Sequence, residues 1–369
     1  MTQFKIESDT FDVDENDLAD SFVVSSVPKD YRVTFDTCSI GETVNRLLCD
    51  EDVLLIDKNV LELLPDDICL DKSRIMAIEA TEEAKTIEGV LSVIDFLHEC
   101  KFTKGENLIV VGGGITQDIG SFVGSVYKRG IPWKFVPTTL LAQCDSCIGG
   151  KTGVNYRGAK NQLALFSAPH EIIINTDFLR TLEHQEIKSG LGEIMKVFVM
   201  GGQHFLDLYG KLVDGDKVNN FDDFKELIVA SLHVKKAIVE RDEFELDARR
   251  SLNYGHTVGH ALETMTEYRI PHGQAVAVGM KIVNDMFGLE AGDVDKYISD
   301  LISEKEKEEL RNIDYDRLGE VLRSDKKTIG NSATFIYLDS IGHVKFERWA
   351  IDDTLLNNIR KTVEEIVNE

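Results

Sequence analysis

Between residues 53 and 137, four short apolar runs, VLLID (53–57), RIMAI (74–78), LIVV (108–111) and KFVP (134–137), alternate with stretches of helical period such as KTIEGVLSVIDFLHE (85–99). A strand that is apolar at nearly every position has no face to offer water, so it must be covered on both sides. The intervening amphipathic stretches supply that cover. The pattern predicts a parallel sheet with helices on both faces, the architecture of a nucleotide-binding α/β domain. The chain has 369 residues, more than one hydrophobic core of ~250–300 residues accommodates, so a second domain is expected.

The texture changes after about residue 176. EIKSGLGEIMKVFVM, FKELIVASLHVKKAIVE, GHTVGHALETM and QAVAVGMKIVNDMFGLE all place apolar residues at three-and-four spacing, which predicts a mainly helical domain. ATFIYL (333–338) and HVKFERW (343–349) read as a late β-hairpin, and DDTLLNNIRKTVEEIVNE as a final amphipathic helix opened by a capping aspartate. The expected divisions are an acidic N-terminal arm or edge strand over 1–30, an α/β domain over 31–175 and a helical domain over 176–369. With only 6 prolines and no low-complexity linker, the two domains are expected to pack around a cleft suited to a small molecule.

The formal net charge of −24 repels phosphate backbones and anionic lipid, which argues against nucleic-acid and membrane partners. No apolar run approaches the ~20 residues needed to span a bilayer, and no secretory leader is visible. The 6 cysteines are scattered through a chain able to build a core without disulfides, as in a cytoplasmic protein with reduced thiols. Cys144 and Cys147 form a C-x-x-C that reads as two small buried side chains.

Three constellations carry chemistry. In LIVVGGGITQDIG a buried strand runs into Gly112, Gly113 and Gly114, with a helix expected near Gln117. Glycines there let a pyrophosphate approach the backbone, and the helix N-terminus offers unpaired N–H groups. The spacing is not G-x-G-x-x-G, and a tight turn that binds nothing would look the same. Asp57 closes the strand VLLID where a carboxylate could accept ribose hydroxyls, or serve simply as a turn residue. Second, His256 and His260 lie four apart on a helix, one face, with His272 at the start of the next helix and Glu193 on GLGEIMK. Two or three imidazoles and a carboxylate with one open position suit a catalytic zinc site, although such histidine pairs also arise by chance. Third, Arg129, Lys151, Lys160, Lys196, Lys235, Arg249 and Lys327 sit beside Gly-, Asn- or His-bearing motifs, where a strongly acidic chain would need cations to hold an anionic ligand.

The run GGGITQDIG, YKRG, VPTTLLAQCDSCIGGKTGVN, AKNQ, GLGEIMK, SLNYGHTVGHALE and IPHGQAVAVGM resembles the 3-dehydroquinate synthases, and more broadly the sugar phosphate cyclases, colinearly from about residue 53 to 345. The resemblance implies an NAD-binding α/β domain, a helical metal-binding domain and a homodimer. It implies a divalent metal, zinc or alternatively cobalt, on Glu193, His256 and His272, with His260 beside the substrate rather than on the ion. It places NAD against Asp57, Asn59, Glu82, Lys85, Gly113, Gly114, Asp118, Thr138, Thr139 and Lys160. The substrate would meet Asp145, Lys151, Asn161, Lys196, Lys235, Arg249, Asn253 and Lys327, with Arg129 reaching the phosphate of the neighbouring subunit.

The implied reaction converts 3-deoxy-arabino-heptulosonate 7-phosphate to 3-dehydroquinate by transient oxidation, phosphate elimination, re-reduction, ring opening and intramolecular aldol closure. NAD is regenerated in place, so the net reaction is not a redox one. Arg249 suits a carboxylate held bidentately; lysines and Asn161 suit a phosphate. The run Ala159-Lys160-Asn161-Gln162-Leu163-Ala164-Leu165-Phe166 departs from the family's usual G-K-N-[hydrophobic]-I-G-A-F. It resembles instead cyclases of secondary metabolism that take heptulose 7-phosphates without a carboxylate, the valiolone-type synthases. Retention of Lys235, Arg249 and Asn253 favours the acidic substrate. A metal-dependent polyol dehydrogenase and a non-catalytic binding protein are the remaining alternatives.

Overall fold

The structure, a computed structural model, describes residues 2–13, 20–65, 68–290, 292–324, 328 and 330–369. The chain divides into two units, residues 16–182 and residues 1–15 with 183–369. The helical unit is thus discontinuous in sequence: strands β1 (Thr2–Ile6) and β2 (Asp9–Val13) belong to it. Of the arm or edge strand expected over 1–30, the described residues form edge strands, β2 in this unit and β3 (Ser21–Val24) in the other, rather than a solvated arm. Residues 2–13 are a hairpin with buried Phe4, Ile6, Phe11 and Val13 on alternate positions. Residues 14–19, part of the acidic run, lie outside the described residues.

Unit 16–182 is built on a seven-stranded sheet. Its strands are β3, β4 (Tyr31–Phe35), β5 (Val53–Asp57), β6 (Ile75–Ile78), β7 (Leu108–Gly112), β8 (Trp133–Pro137) and β11 (Glu171–Ile174), in the order β3-β4-β11-β8-β7-β5-β6. All pairings are parallel except β3 with β4. The four apolar runs form its adjacent strands β8-β7-β5-β6, and β5 and β7 are completely buried along Val53–Ile56 and Leu108–Val111. Helices α1 (Ile40–Asn45), α2 (Lys58–Leu61), α3 (Ile87–Glu99) and α4 (Gly114–Val126) follow the strands. One side of the core is Val44, Leu54, Ile56, Ile109, Val111, Val136, Ile173 and Phe178. Between β5 and β7 the strand order reverses, and at such a point the carboxyl ends of the strands leave a crevice for a ligand. An antiparallel hairpin, β9 (Lys151–Tyr156) and β10 (Ala159–Phe166), completes the unit.

The second unit centres on α5 (His184–Gly201), buried from Ile187 to its end. It continues through α6 (Gln203–Leu212), the short strands β12 (Val213–Asp214) and β13 (Lys217–Val218), α7 (Asp223–Arg241), α8 (His256–Met265) and α9 (His272–Phe287). Then come α10 (Asp293–Leu301), α11 (Glu304–Arg311), α12 (Tyr315–Ser324), the predicted hairpin β14 (Ser332–Ser340) and β15 (His343–Ala350), and α13 (Asp353–Asn368). Asp352 caps α13 through the Thr354 and Leu355 N–H groups, as the sequence predicts. The strands form a sheet in the order β14-β15-β1-β2, with β1 parallel to β15.

Candidate active site

Helices normally stand 8–10 Å apart, held off by their side chains. Around α9 that spacing collapses. A Cβ on Gly273 would lie 1.8 Å from the Ser189 carbonyl oxygen, and one on Gly192 would lie 2.3 Å from the Gly273 oxygen. Ser189 Oγ accepts from the Gly273 N–H at 3.0 Å and fixes the crossing. The first turn of α9, which carries His272, is therefore pressed against the middle of α5, which carries Glu193. Gly259 on α8 meets α9 in the same way at Ala275, and this brings His256 and His260 alongside.

The result is a cluster of three imidazoles over one buried carboxylate. The ring centroids are 5.1 Å apart for His256 and His260, 5.3 Å for His256 and His272, and 5.7 Å for His260 and His272. Each ring offers a nitrogen within 4.8 Å of the others. Glu193 is fully buried. Its Oε1 faces His272 Nε2 at 3.3 Å and His256 Nε2 at 3.7 Å, yet accepts no well-formed hydrogen bond. Leaving a buried carboxylate oxygen unsatisfied is costly unless a cation completes it.

The remaining polar atoms set up the cluster for that cation. His256 Nδ1 lies 3.0 Å from the Tyr254 carbonyl, so it carries the proton and Nε2 keeps its lone pair. His272 Nδ1 is 3.2 Å from Glu263 Oε2, the carboxylate–histidine pairing that orients metal-bound imidazoles. Lys196 Nζ donates to Glu193 Oε2 at 2.5 Å. Burial pushes the Glu193 carboxyl up, but Lys196 and His272 outweigh it and hold it well below the usual carboxylate range. Burial lowers the His272 imidazole, yet Glu263 and Glu193 on either side raise it to about 10. Two carboxylates, Glu193 and Glu263, lie within 3.3 Å of the one His272 ring and give the pocket negative charge that a divalent ion would balance. The donor set of imidazole nitrogens and carboxylate fits zinc or cobalt.

In the same unit Lys235 on α7 and Arg249 are buried, Arg249 to 1% exposure. Arg249 and Asn253 sit in a short 3₁₀ segment, Ala248–Asn253, just before α8. Asn253 Nδ2 donates to Glu245 Oε1 at 2.8 Å. Glu245 and Glu263 are site residues that the sequence reading missed; Glu263, at i+3 from His260 on the same helix, was detectable from spacing alone. Lys327 lies outside the described residues.

In the unit of residues 16–182 the glycine turn stands at the end of β7. The helix α4 starts at Gly114, earlier than the expected Gln117, with Gly113 as its N-cap. A Cβ on Gly113 would lie 2.9 Å from Thr139 Cγ2, so the two cofactor candidates touch; the Thr138 N–H donates to the Gly112 oxygen at 3.0 Å. Asp57 closes β5 on the other side of the sheet-order reversal, where its carboxylate accepts from the Asn59 N–H at 2.9 Å and caps α2.

Next to that turn, Lys85 organises a buried network. Its Nζ donates to Asp118 Oδ2 at 3.1 Å and Asn161 Oδ1 at 3.0 Å, and stands 3.4 Å from Glu82 Oε1. Lys160 Nζ is 3.9 Å from the same Glu82 oxygen. Burial depresses the Lys85 ammonium, but Asp118 and Glu82 raise it above its ordinary value and keep it charged. Four of the expected NAD contacts and one expected substrate contact thus converge. Asn161 joins them from a left-handed position, φ 51°, beside a register break in β10. Lys151 is exposed at the start of β9, delivered there by Gly149 and Gly150 with φ 91° and 60°. Asp145 sits in a π-helical turn, Ala142–Ser146, a distortion common at functional sites. Gln117 and Ser146 clamp that turn to α4 through reciprocal 2.7 Å bonds. Arg129 is exposed on a strained loop in which Lys128 and Arg129 both have positive φ.

A parallel-sheet unit with a glycine turn at its switch point, together with a helical unit carrying a His/Glu cluster, defines the cyclase–dehydrogenase fold class. The chain superposes on 2-deoxy-scyllo-inosose synthase complexed with carbaglucose-6-phosphate, NAD+ and Co2+, with TM-score 0.77 and 22% identity over 92% of this chain and 99% of that one. It superposes on 2-epi-5-epi-valiolone synthase from Streptomyces hygroscopicus subsp. jinggangensis, with NAD+ and Zn2+ bound, with TM-score 0.73 and 22% identity over 94% and 99%. Family models for the 3-dehydroquinate synthase N-terminal and C-terminal regions match residues 75–189 and 190–328. The 3-dehydroquinate synthase of Streptococcus equi subsp. equi is 32% identical over 94% of this chain and 99% of its own, and that of Ruminiclostridium cellulolyticum 33% identical over 89% and 94%. The chain belongs to the 3-dehydroquinate synthase family and is an enzyme of the phosphate-eliminating cyclase type.

Proposed function

We propose that this enzyme converts 3-deoxy-arabino-heptulosonate 7-phosphate to 3-dehydroquinate, using NAD and a divalent metal held by Glu193, His256 and His272. The observation that carries the metal assignment is the buried Glu193 Oε1 aimed between two Nε2 atoms without a hydrogen bond. When bound, the metal supplies Lewis acidity at a substrate hydroxyl and NAD a reversible hydride acceptor. The protein supplies the rest. Arg249 holds the carboxylate, and Lys151, Asn161 and Arg129 the phosphate, the last from the partner of a homodimer. His260, half-exposed at the rim of the cluster, exchanges protons with the substrate. Lys196, Lys235, Asp145, Asn253 and Lys327 orient the polyol. Glu82, Lys85, Asp118, Gly113, Gly114, Thr138, Thr139, Lys160, Asp57 and Asn59 hold NAD.

The departure across Ala159–Phe166 favours one second reading, a valiolone-type cyclase acting on a heptulose 7-phosphate without a carboxylate. Incubation with NAD, zinc or cobalt and each candidate substrate, followed by phosphate assay and product mass spectrometry, separates the two. The acidic substrate should release phosphate and yield 3-dehydroquinate with NAD unchanged at the end. Net NADH accumulation on a simple polyol, with no phosphate release from either heptulose, would instead identify a polyol dehydrogenase. No described helix is long and apolar enough to cross a membrane.

A further inference from the structure

We propose that Asp242 is a positioning residue that sets Arg249, and through it the enzyme's preference for a carboxylate-bearing substrate. The proposal rests on reading Arg249 as the carboxylate-binding group. Asp242 is the residue at which α7 stops. Its side chain turns into the loop that follows: Oδ1 accepts from the Leu246 N–H at 2.9 Å, and Oδ2 from the N–H groups of Asp247 at 2.8 Å and Arg249 at 2.9 Å. The loop so closed returns the favour, since the Glu243 carbonyl accepts from Arg249 Nη1. One carboxylate thus fixes the backbone of Arg249, and the loop it closes fixes the guanidinium.

Packing does not account for this conformation. Leu246 is 81% exposed and Phe244 45% exposed, so the loop has little apolar burial to hold it. Charge-assisted bonds to backbone N–H groups are stronger than neutral ones, and three on one carboxylate exceed what an ordinary turn uses. Burial raises the Asp242 carboxyl, but the N–H groups of Arg249, Asp247 and Leu246 outweigh it and hold it below the usual range. The anchor point is itself tied down: Arg241 pairs with Asp9 at 2.8 Å, and its guanidinium lies over the Phe11 ring at 5.4 Å. In the same loop Glu245, at φ 58°, accepts from Asn253 Nδ2, but that amide also donates to the Arg250 carbonyl at 3.1 Å and so keeps an anchor outside the loop.

The test uses the full-length enzyme loaded with metal and NAD, as wild type and as Asp242→Ala, Asp242→Asn and Arg249→Lys. For each, kcat and KM are measured on 3-deoxy-arabino-heptulosonate 7-phosphate and on a neutral heptulose 7-phosphate. Amide exchange over residues 243–249 is followed in parallel. Asp242→Ala should raise KM for the acidic substrate more than tenfold and leave kcat within threefold. The kcat/KM on the neutral substrate, where wild type turns it over, and the metal content should be unchanged, and loop exchange should be faster by at least tenfold. Asp242→Asn should fall between the two, and it decides the matter if the alanine variant does not fold. Equal losses on both substrates, or a lower thermal midpoint with unchanged kinetics, overturn the proposal. If Arg249→Lys alters the acidic preference and Asp242→Ala does not, only the role of Asp242 falls. If Arg249→Lys leaves that preference intact, the carboxylate reading falls and takes the proposal with it. A wild type that turns over neither substrate overturns the activity; slow exchange at 246–249 that persists in Asp242→Ala then overturns the anchoring independently.

Discussion

The histidine–glutamate cluster and the glycine turn solve the same problem, assembling polar groups from distant sequence, by opposite means. At the cluster, whole helices are pressed together at Gly192, Gly259 and Gly273, and the three histidines and Glu193 simply ride on them. At the glycine turn, strands end at a crevice and a single ammonium, that of Lys85, draws Glu82, Asp118 and Asn161 together from a 3₁₀ turn, a helix and a hairpin. The first design stores its precision in backbone contact, the second in charge. They should fail differently.

The sharpest way to break the comparison is Gly273→Ala. Its methyl would meet backbone that cannot move aside, so we expect a loss of several kcal/mol, above the usual ~1–3 kcal/mol for overpacking. Metal content and thermal melting would both report it; a variant that melts like wild type would remove backbone contact as the organising force. Next in size is His272→Ala, which should abolish tight metal binding and all turnover while the protein still folds, as read by metal titration and circular dichroism. Lys85→Met attacks the other region. It removes the ammonium shared by Asp118 and Glu82, leaving only Lys160 at 3.9 Å from Glu82, and should weaken NAD binding more than tenfold in calorimetry while leaving metal content intact. Glu263→Gln should cost about 10- to 100-fold in metal affinity, the range for second partners of metal-bound histidines, with NAD affinity unchanged. Smallest of all, Asp9→Asn removes an ion pair with both partners about half exposed. It should shift stability by less than about 1 kcal/mol, measurable only as a slight change in denaturation midpoint.

The two regions also differed in how openly they showed in the sequence. The apolar runs of β5 to β8 carry their own burial and could be read one at a time, because a strand hidden on both faces has no polar positions to confuse the pattern. Helical spacing marked the pair His256 and His260, and the resemblance then put His272 and Glu193 with His256 as the candidate ligands and set His260 beside the substrate. The Lys85 network gave no local signal: Lys85, Asp118 and Asn161 meet only after a strand, a helix and a hairpin have been placed. The same holds for the N-terminal hairpin. Its acidic residues suggested a solvated arm or an edge strand; β2 is an edge strand, and alternate Phe4, Ile6, Phe11 and Val13 form the hairpin's buried face, a period of two that the charges between them obscured. Asp242 escaped notice for a different reason, since a carboxylate serving three backbone N–H groups looks in sequence like any aspartate after a helix.

The pairing of Lys5 with His343 and Ile6 with Val344 has a consequence for biogenesis. β1 can pair with neighbouring β2 as soon as both exist, but its second ladder must wait until β15, on the far side of residues 16–182, has been made. Meanwhile residues 16–182, an insertion in the topology of the other unit, have all their sheet partners early and can fold while synthesis continues. A nascent chain halted before β15 emerges would therefore hold a complete seven-stranded sheet beside a β1–β2 hairpin whose β1 edge is still unpaired and whose apolar face is still uncovered, the species most in need of a chaperone.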